Sequence, residues 1–157
     1  MNNESLLQRA QLLIQQHRVD LAAQQLRQVL AQDPNHGQAH ALLAICLLNN
    51  KDTWREATQE AQVAVGLEPD NAYTHYVLAS VLEKRNHLPE ALQSIEQALA
   101  LDASGSHLYS LKGSILLQQR RWQEALMAAD EGLALDPEDE SCASLRAVAL
   151  DRLGQAN

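Results

Sequence analysis

The chain has 157 residues and a formal net charge of −8, which disfavours nucleic acid as a partner because phosphate backbones repel an acidic surface. Phe is absent and aromatic residues make up only 3% of the sequence, whereas Ala, Leu and Gln, which favour helices, are abundant. This composition argues against a β-sandwich, which needs many β-branched and aromatic residues.

The predicted elements are helices that come in pairs. Apolar residues recur at helical spacing, and short segments with Pro, Gly, Asn or Asp separate the periodic stretches. We call the first helix of each pair helix A and the second helix B. The predicted ranges are 4–16 and 19–32, 37–49 and 54–67, 72–85 and 89–101, 106–119 and 122–135, followed by a ninth helix over 138–153.

Small and apolar residues recur along these helices at intervals of 34 or 35 residues. Ala22, Ala57, Ala91 and Ala125 are spaced by 35, 34 and 34 residues, and we predict that they mark close approaches of helix backbones. A period of this length is typical of a solenoid, in which each unit contacts only its neighbours. Five further columns keep the register: Ala10, Ala44, Ala79, Gly113 and Ala147; Leu13, Leu47, Leu82, Leu116 and Leu150; Val19, Trp54, Leu88 and Trp122; Val29, Ala64, Ala98 and Gly132; and Pro34, Pro69, Ala103 and Pro137.

One extra residue interrupts the 34-residue period in the second pair. Ala10 and Ala44 are 34 residues apart, whereas Ala22 and Ala57 are 35 apart. The insertion therefore lies between Ala44 and Ala57, and we place it in the turn at 49–53, where an added residue costs little.

These columns resemble the tetratricopeptide repeat (TPR), a helix–turn–helix unit of 34 residues with small residues at fixed positions, an aromatic residue early in helix B and a closing proline. One departure is the early helix A slot, usually Trp, which holds Leu6, His40, His75 and Tyr109. The resemblance implies an all-α, right-handed α-solenoid of about nine helices. It forms one array, with repeats at 3–36, 37–71, 72–105 and 106–139, and then either a capping helix or a truncated fifth repeat at 140–157.

In the TPR family, helix A residues that point away from helix B line a concave, peptide-binding groove. Two of the three tyrosines fall on this face, where a Tyr ring offers a rigid amphipathic contact. The resemblance therefore implies a groove in this chain with ten candidate contacts: Ile45, Asn49, Tyr73, Tyr76, Ser80, Lys84, His107, Ser110, Ser114 and Arg152.

Some TPR proteins hold a C-terminal carboxylate with a clamp that needs Lys and Asn one helical turn apart on a groove helix. The matching pairs in this chain do not provide that combination. We therefore expect an extended or helical segment held by apolar and hydroxyl contacts. The four pairs are Leu7/Gln11, Ala41/Ile45, Tyr76/Ser80 and Ser110/Ser114.

Catalytic and metal-binding signals are weak. The sequence lacks G-x-S-x-G, H-E-x-x-H and Walker-type motifs. His40 and His75 share a column, but equivalent residues of stacked units lie on the order of 10 Å apart, whereas zinc ligands lie about 2 Å from the ion. We therefore predict no catalytic residues, no metal site and no cofactor.

The sequence predicts a non-enzymatic scaffold that binds a peptide segment of a protein partner. Two alternatives stay open: a homo-oligomeric structural scaffold, and a docking or regulatory domain of a larger enzyme or membrane protein. Cys46 and Cys142 fall in separate predicted helices, and unpaired thiols fit a reducing compartment. No apolar run approaches the roughly 20 residues of a membrane span, so we expect a cytoplasmic protein.

Overall fold

The computed structural model describes residues 2–155, and all regular secondary structure in that range is helical. The predicted boundaries agree with those of the structure within two residues. The described elements are α1 (Asn3–Gln15), α2 (Val19–Gln32), α3 (Gly37–Leu47), a 3-10 helix (Lys51–Thr53), α4 (Trp54–Leu67), α5 (Ala72–Lys84), α6 (Leu88–Leu101), α7 (Ser106–Gln118), α8 (Trp122–Leu135) and α9 (Glu140–Gln155).

The helices stack in chain order as a solenoid. Each of α1, α3, α5 and α7 packs on the helix that follows it, and each helix B packs on the helix A of the next pair. The A helices also contact one another along the array, as α3 and α5 do and as α7 and α9 do. The predicted all-α solenoid is therefore confirmed, and the stacking of A helices creates one continuous helix A face.

The repeated alanines occupy the close approaches between helices. Ala22, Ala57, Ala91 and Ala125 are each 0% exposed, so a larger side chain at any of them would push two backbones apart. This burial is the packing role that the sequence predicts for the column.

Three residues that the sequence assigns to packing positions lie at the surface instead. Ala147 is exposed and Leu150 is 43% exposed, because within residues 2–155 no helix B packs on that side of α9. Leu101 continues the apolar helical spacing of α6 but is 44% exposed, because it is the last residue of the helix.

The turns inside three of the four pairs share one geometry. His17, Asn86 and Arg120 adopt left-handed backbone conformations with φ of 59°, 60° and 61°. At each turn the next residue donates its backbone N–H to the leucine carbonyl five positions back, as Arg18 does to Leu13 at 2.8 Å. This is the Schellman arrangement that ends a helix with a left-handed residue.

The turn of the second pair differs because it contains the inserted residue. There the chain forms the 3-10 helix, and Thr53 Oγ1 donates to the Leu47 carbonyl at 2.6 Å. The indole nitrogen of Trp54 donates to the Leu48 carbonyl at 3.0 Å. The insertion therefore lies at the predicted turn, and side chains bond the carbonyls that the end of α3 leaves free.

No helix in the described part of the chain is both long enough and apolar enough to cross a membrane.

Candidate functional site

Two hollows lie on the helix A face of the array. The first has a volume of about 500 Å³ and the second about 310 Å³. The first is lined by Gln11, Ile14, Gln15, Gln38, Leu42 and Tyr73, which come from α1, α3 and α5. The second is lined by Tyr76, Glu83, His107, Ser110, Leu111, Ser114, Asp139 and Ser141, which come from α5, α7, the turn before α9 and its first turn.

An aromatic cluster joins the two hollows. The Tyr73 and Tyr76 rings stack with centroids 6.3 Å apart, and His107 meets Tyr76 edge to face at 5.1 Å. Because Tyr73 lines the first hollow and Tyr76 the second, the stacked pair forms the boundary between them. Burial, followed by the neighbouring Tyr76, raises the pKa of Tyr73 to about 12, so its hydroxyl keeps its proton and can donate a hydrogen bond.

A hydrogen-bonded cluster ties α5 to α7 at the second hollow. The Oε1 atom of Glu83 accepts hydrogen bonds from Ser114 Oγ at 2.7 Å and Gln118 Nε2 at 2.6 Å. Ser80 Oγ instead donates to the Tyr76 carbonyl of its own helix at 2.9 Å. The carboxylate of Glu83 is therefore held in place by two donors from the neighbouring repeat.

The second hollow receives another carboxylate from outside the groove helices. Asp139 precedes α9, and its Oδ1 accepts the backbone N–H of Cys142 at 2.9 Å while its Oδ2 accepts Ser106 Oγ at 2.6 Å. These bonds, with that of Ser106 first, hold the pKa of Asp139 below its ordinary value. At neutral pH the group is therefore ionised.

The structure brings together only part of the predicted groove. Five of the ten candidates lie at the two hollows: Tyr73, Tyr76, His107, Ser110 and Ser114.

The other five candidates have different surroundings. The Ser80 hydroxyl is hydrogen-bonded to the Tyr76 carbonyl of its own helix. Ile45 is half-buried against the N-terminal core, and Lys84 is exposed at the end of α5. Asn49 lines a separate cavity with Asp20 and Arg27 beside α2, and the Arg152 guanidinium lies 5.9 Å from the centroid of the Trp122 ring. Asn49 and Arg152 are therefore not brought together with the tyrosines, and ligand contact at any of the ten stays a prediction.

Four residues of the second hollow are absent from the candidate set: Glu83, Leu111, Asp139 and Ser141. The sequence carries a signal for Glu83, which lies two helical turns after Tyr76 on the same face of α5. It carries none for Asp139, because that residue belongs to the turn before α9 and not to a groove helix.

The two column histidines hold the turns between repeats. His40 Nε2 lies 2.8 Å from the Pro34 carbonyl, and its Nδ1 lies 2.5 Å from Glu60 Oε2. His75 Nε2 lies 2.6 Å from the Pro69 carbonyl in the same way. Among residues 2–155, no three His, Cys, Asp or Glu residues are grouped so that they could hold a metal ion.

Sequence comparison identifies the repeat. A family model described as tetratricopeptide repeat matches residues 7–72 and 76–140, which together make up most of the chain. No curated protein matches the sequence.

Solved structures with the same architecture support this match. A thermophilic TPR protein of Thermus thermophilus superimposes with a TM-score of 0.84 and 21% identity, over 96% of this chain and 82% of that one. PilF of Pseudomonas aeruginosa gives 0.86 and 22%, over 98% and 69%. YrrB, described as a TPR protein with an unusual peptide-binding site, gives 0.69 and 20%, over 92% and 74%. At these identities the likeness establishes the fold.

Proposed function

Because the chain belongs to the tetratricopeptide repeat family, we propose that it is a non-enzymatic scaffold whose helix A face binds a peptide segment of a protein partner. The observation that carries this proposal is the stacked Tyr73–Tyr76 pair, which joins two hollows in an otherwise aromatic-poor protein. Tyrosine is enriched among residues that dominate binding energies, because its ring is large and rigid and its hydroxyl stays polar.

The dimensions and chemistry of the hollows also support a peptide ligand. Their volumes, about 310 and 500 Å³, fall within the ~300–1,000 Å³ that small ligands occupy. Each can receive a side chain while the peptide backbone crosses the tyrosine pair. Hydroxyl groups at Ser110 and Ser114 provide hydrogen bonds, and the peptide-binding site described for YrrB supports binding on this fold.

The test uses steric blocking of the second hollow. A displayed library of random short peptides is selected on the wild-type protein, and the enriched peptides are then measured against Ser110→Trp. We expect their affinity to fall about tenfold or more, equivalent to about 1.4 kcal/mol, because the indole fills the hollow. Ala134→Trp on α8 is the matched control, since Ala134 is exposed on a helix B.

The control variant should bind as the wild type does, and both variants should keep their helical circular dichroism. Equal affinity of wild type and Ser110→Trp would show that peptides bind elsewhere. A selection that enriches no peptide would contradict the proposal.

A second candidate function is self-assembly through α9. Ala147 and Leu150 are exposed on one side of α9, and each occupies a column that is buried in the four preceding pairs. A second copy of α9 packed on this side would bury these residues. Light scattering over a concentration series distinguishes the two functions, because self-association that Leu150→Lys abolishes would support this candidate and a constant monomer mass would contradict it.

We also propose that the protein is cytoplasmic. Cys46 and Cys142 are buried free thiols, and unpaired cysteines are typical of proteins in reducing compartments. Fractionation of the source cells with an antibody against the protein tests this placement.

A further inference from the structure

We propose that the second hollow, lined by Tyr76, Glu83, Ser110, Ser114 and Asp139 among others, binds an arginine side chain of the partner peptide. This inference rests on the proposed function and names the residue that the groove recognises. It follows from the charge, the aromatic wall and the hydroxyl groups of one hollow.

The charge of the hollow is negative and fixed in position. Two carboxylates, Glu83 from α5 and Asp139 from the turn before α9, line the same cavity of about 310 Å³. Hydrogen bonds from Ser114 and Gln118 orient the first, and those from Ser106 and Cys142 orient the second. Among the described residues that line the hollow, none is Lys or Arg, so the carboxylates favour a cation supplied by the ligand.

The other walls fit a guanidinium group. Tyr76 and His107 meet edge to face at 5.1 Å and both line the hollow, and the faces of aromatic rings attract cations. Hydroxyl oxygens of Ser110 and Ser141 add acceptors on the α7 and α9 sides. Arginine carries five N–H donors in one plane, whereas the lysine ammonium is compact and strongly hydrated, so arginine can reach acceptors on several walls at once.

The charge of the whole protein acts in the same direction. With a net charge of −8, the chain attracts basic peptides over distances comparable to the Debye length. The association rate of an arginine peptide should therefore fall as salt is added, while a neutral peptide should associate at a nearly constant rate.

The experiment starts from peptides selected on the wild-type protein from a random displayed library. We expect a recurrent arginine. Each selected peptide is resynthesised with that arginine replaced by citrulline, which keeps the shape and removes the charge. We expect the citrulline peptide to bind the wild-type protein at least about tenfold more weakly than the arginine peptide does. On Glu83→Gln, the difference in affinity between the two peptides should be much smaller.

The protein variants are chosen to preserve the fold. Glu83→Gln keeps an oxygen that accepts from Ser114 and Gln118, and Asp139→Asn keeps a residue that caps α9 well. Glu90→Gln is the matched control, since it removes one exposed carboxylate from α6, a helix B. Thermal melting of each variant verifies folding, and we expect Glu83→Gln and Asp139→Asn to weaken the arginine peptide while Glu90→Gln leaves its affinity within about twofold.

The outcomes separate this inference from the proposed function. If the selected peptides bind Ser110→Trp more weakly but share no arginine, the arginine site is wrong and the peptide groove is supported. The same holds if they contain an arginine but bind equally well when it is replaced by citrulline. A recurrent lysine bound as tightly as arginine would overturn the assignment of a guanidinium. A library that enriches nothing would overturn both proposals.

Discussion

His40 and Glu60 form a bridge between the two helices of the second repeat. The imidazole Nδ1 lies 2.5 Å from the Glu60 carboxylate on α4, and Nε2 lies 2.8 Å from the Pro34 carbonyl. Each ring nitrogen of His40 therefore faces an oxygen that accepts hydrogen bonds. The next repeat retains His75 and its bond to Pro69, but the register places Ser94 at the position of Glu60. The bridge from this histidine column to a carboxylate is therefore absent from the third repeat.

Removal of this bridge should destabilise the protein. The side chains of His40 and Glu60 are only 12% and 21% exposed, and a hydrogen bond to a charged group contributes about 1.5–3 kcal/mol. We expect Glu60→Gln to lower the free energy of unfolding by ~1–2 kcal/mol, measured by urea denaturation.

A double-mutant cycle with His40→Gln isolates the pair, and its coupling energy should account for most of the loss. Glu56→Gln on the same helix is the control. The side chains of Glu56 and its partner Arg27 are 42% and 51% exposed, so this change should cost less than about 1 kcal/mol. Equal losses from both glutamates would contradict the special role of the bridge.

The left-handed turn residues predict a stabilising substitution. Arg120 has a φ of 61°, a conformation that costs most residues about 1–2 kcal/mol and glycine almost nothing. We expect Arg120→Gly to raise the free energy of unfolding by about 1 kcal/mol. Asn86→Gly should gain less, because asparagine tolerates this conformation better than arginine does.

Gln97→Gly provides the opposite case for that prediction. Gln97 is exposed inside α6, where glycine costs about 1 kcal/mol relative to good helix formers. Chemical denaturation should give changes of opposite sign at the two positions. Destabilisation by Arg120→Gly would mean that the arginine side chain makes a contact that offsets its backbone cost.

The repeat pattern carries most of the information about the fold and less about the site. Ala57 and Ala91 are in register because each fits one close helix contact, so burial at the two positions can be read from spacing alone. The hollow that holds Tyr76 also depends on Asp139, whose placement follows from a turn between repeats. The orientation of Arg152 depends on the ring of Trp122. Such side-chain directions depend on contacts between repeats and have no periodic signal.

At Gly132, even a methyl side chain is too large for the space between α8 and α9. A Cβ there would collide with Cys142 Sγ and would lie 3.3 Å from Tyr109 Cβ, so α8 and α9 could not keep their approach. We expect Gly132→Ala to cost about 1–3 kcal/mol despite the higher helix propensity of alanine. Adding Cys142→Ala to this variant should recover most of the lost unfolding free energy, because that change removes the sulfur. Chemical denaturation of the single and double variants measures both effects.

Gly66→Ala is the matched control for this position. It also lies inside a helix B, but nothing is within 4 Å of the added Cβ. There we expect a gain of about 0.5–1 kcal/mol from helix propensity alone. If both substitutions stabilise the protein, the close approach of α8 and α9 at Gly132 is wrong.

The buried thiols predict a loss of stability at alkaline pH. Burial is the main cause that raises the pKa of Cys46 and that of Cys142 from 9.0 to about 11. The folded state thus favours the protonated thiol. This contribution is fully present below 9.0, the pKa expected of the unfolded thiols, and is lost as the pH rises towards about 11. Replacement of Cys142 by Ala should make the fall in unfolding free energy over that interval shallower, measured by urea denaturation at a series of pH values.

At neutral pH, a thiol reagent should modify both cysteines quickly in urea and slowly in the native protein. Rapid modification of either cysteine in the native protein would contradict its burial.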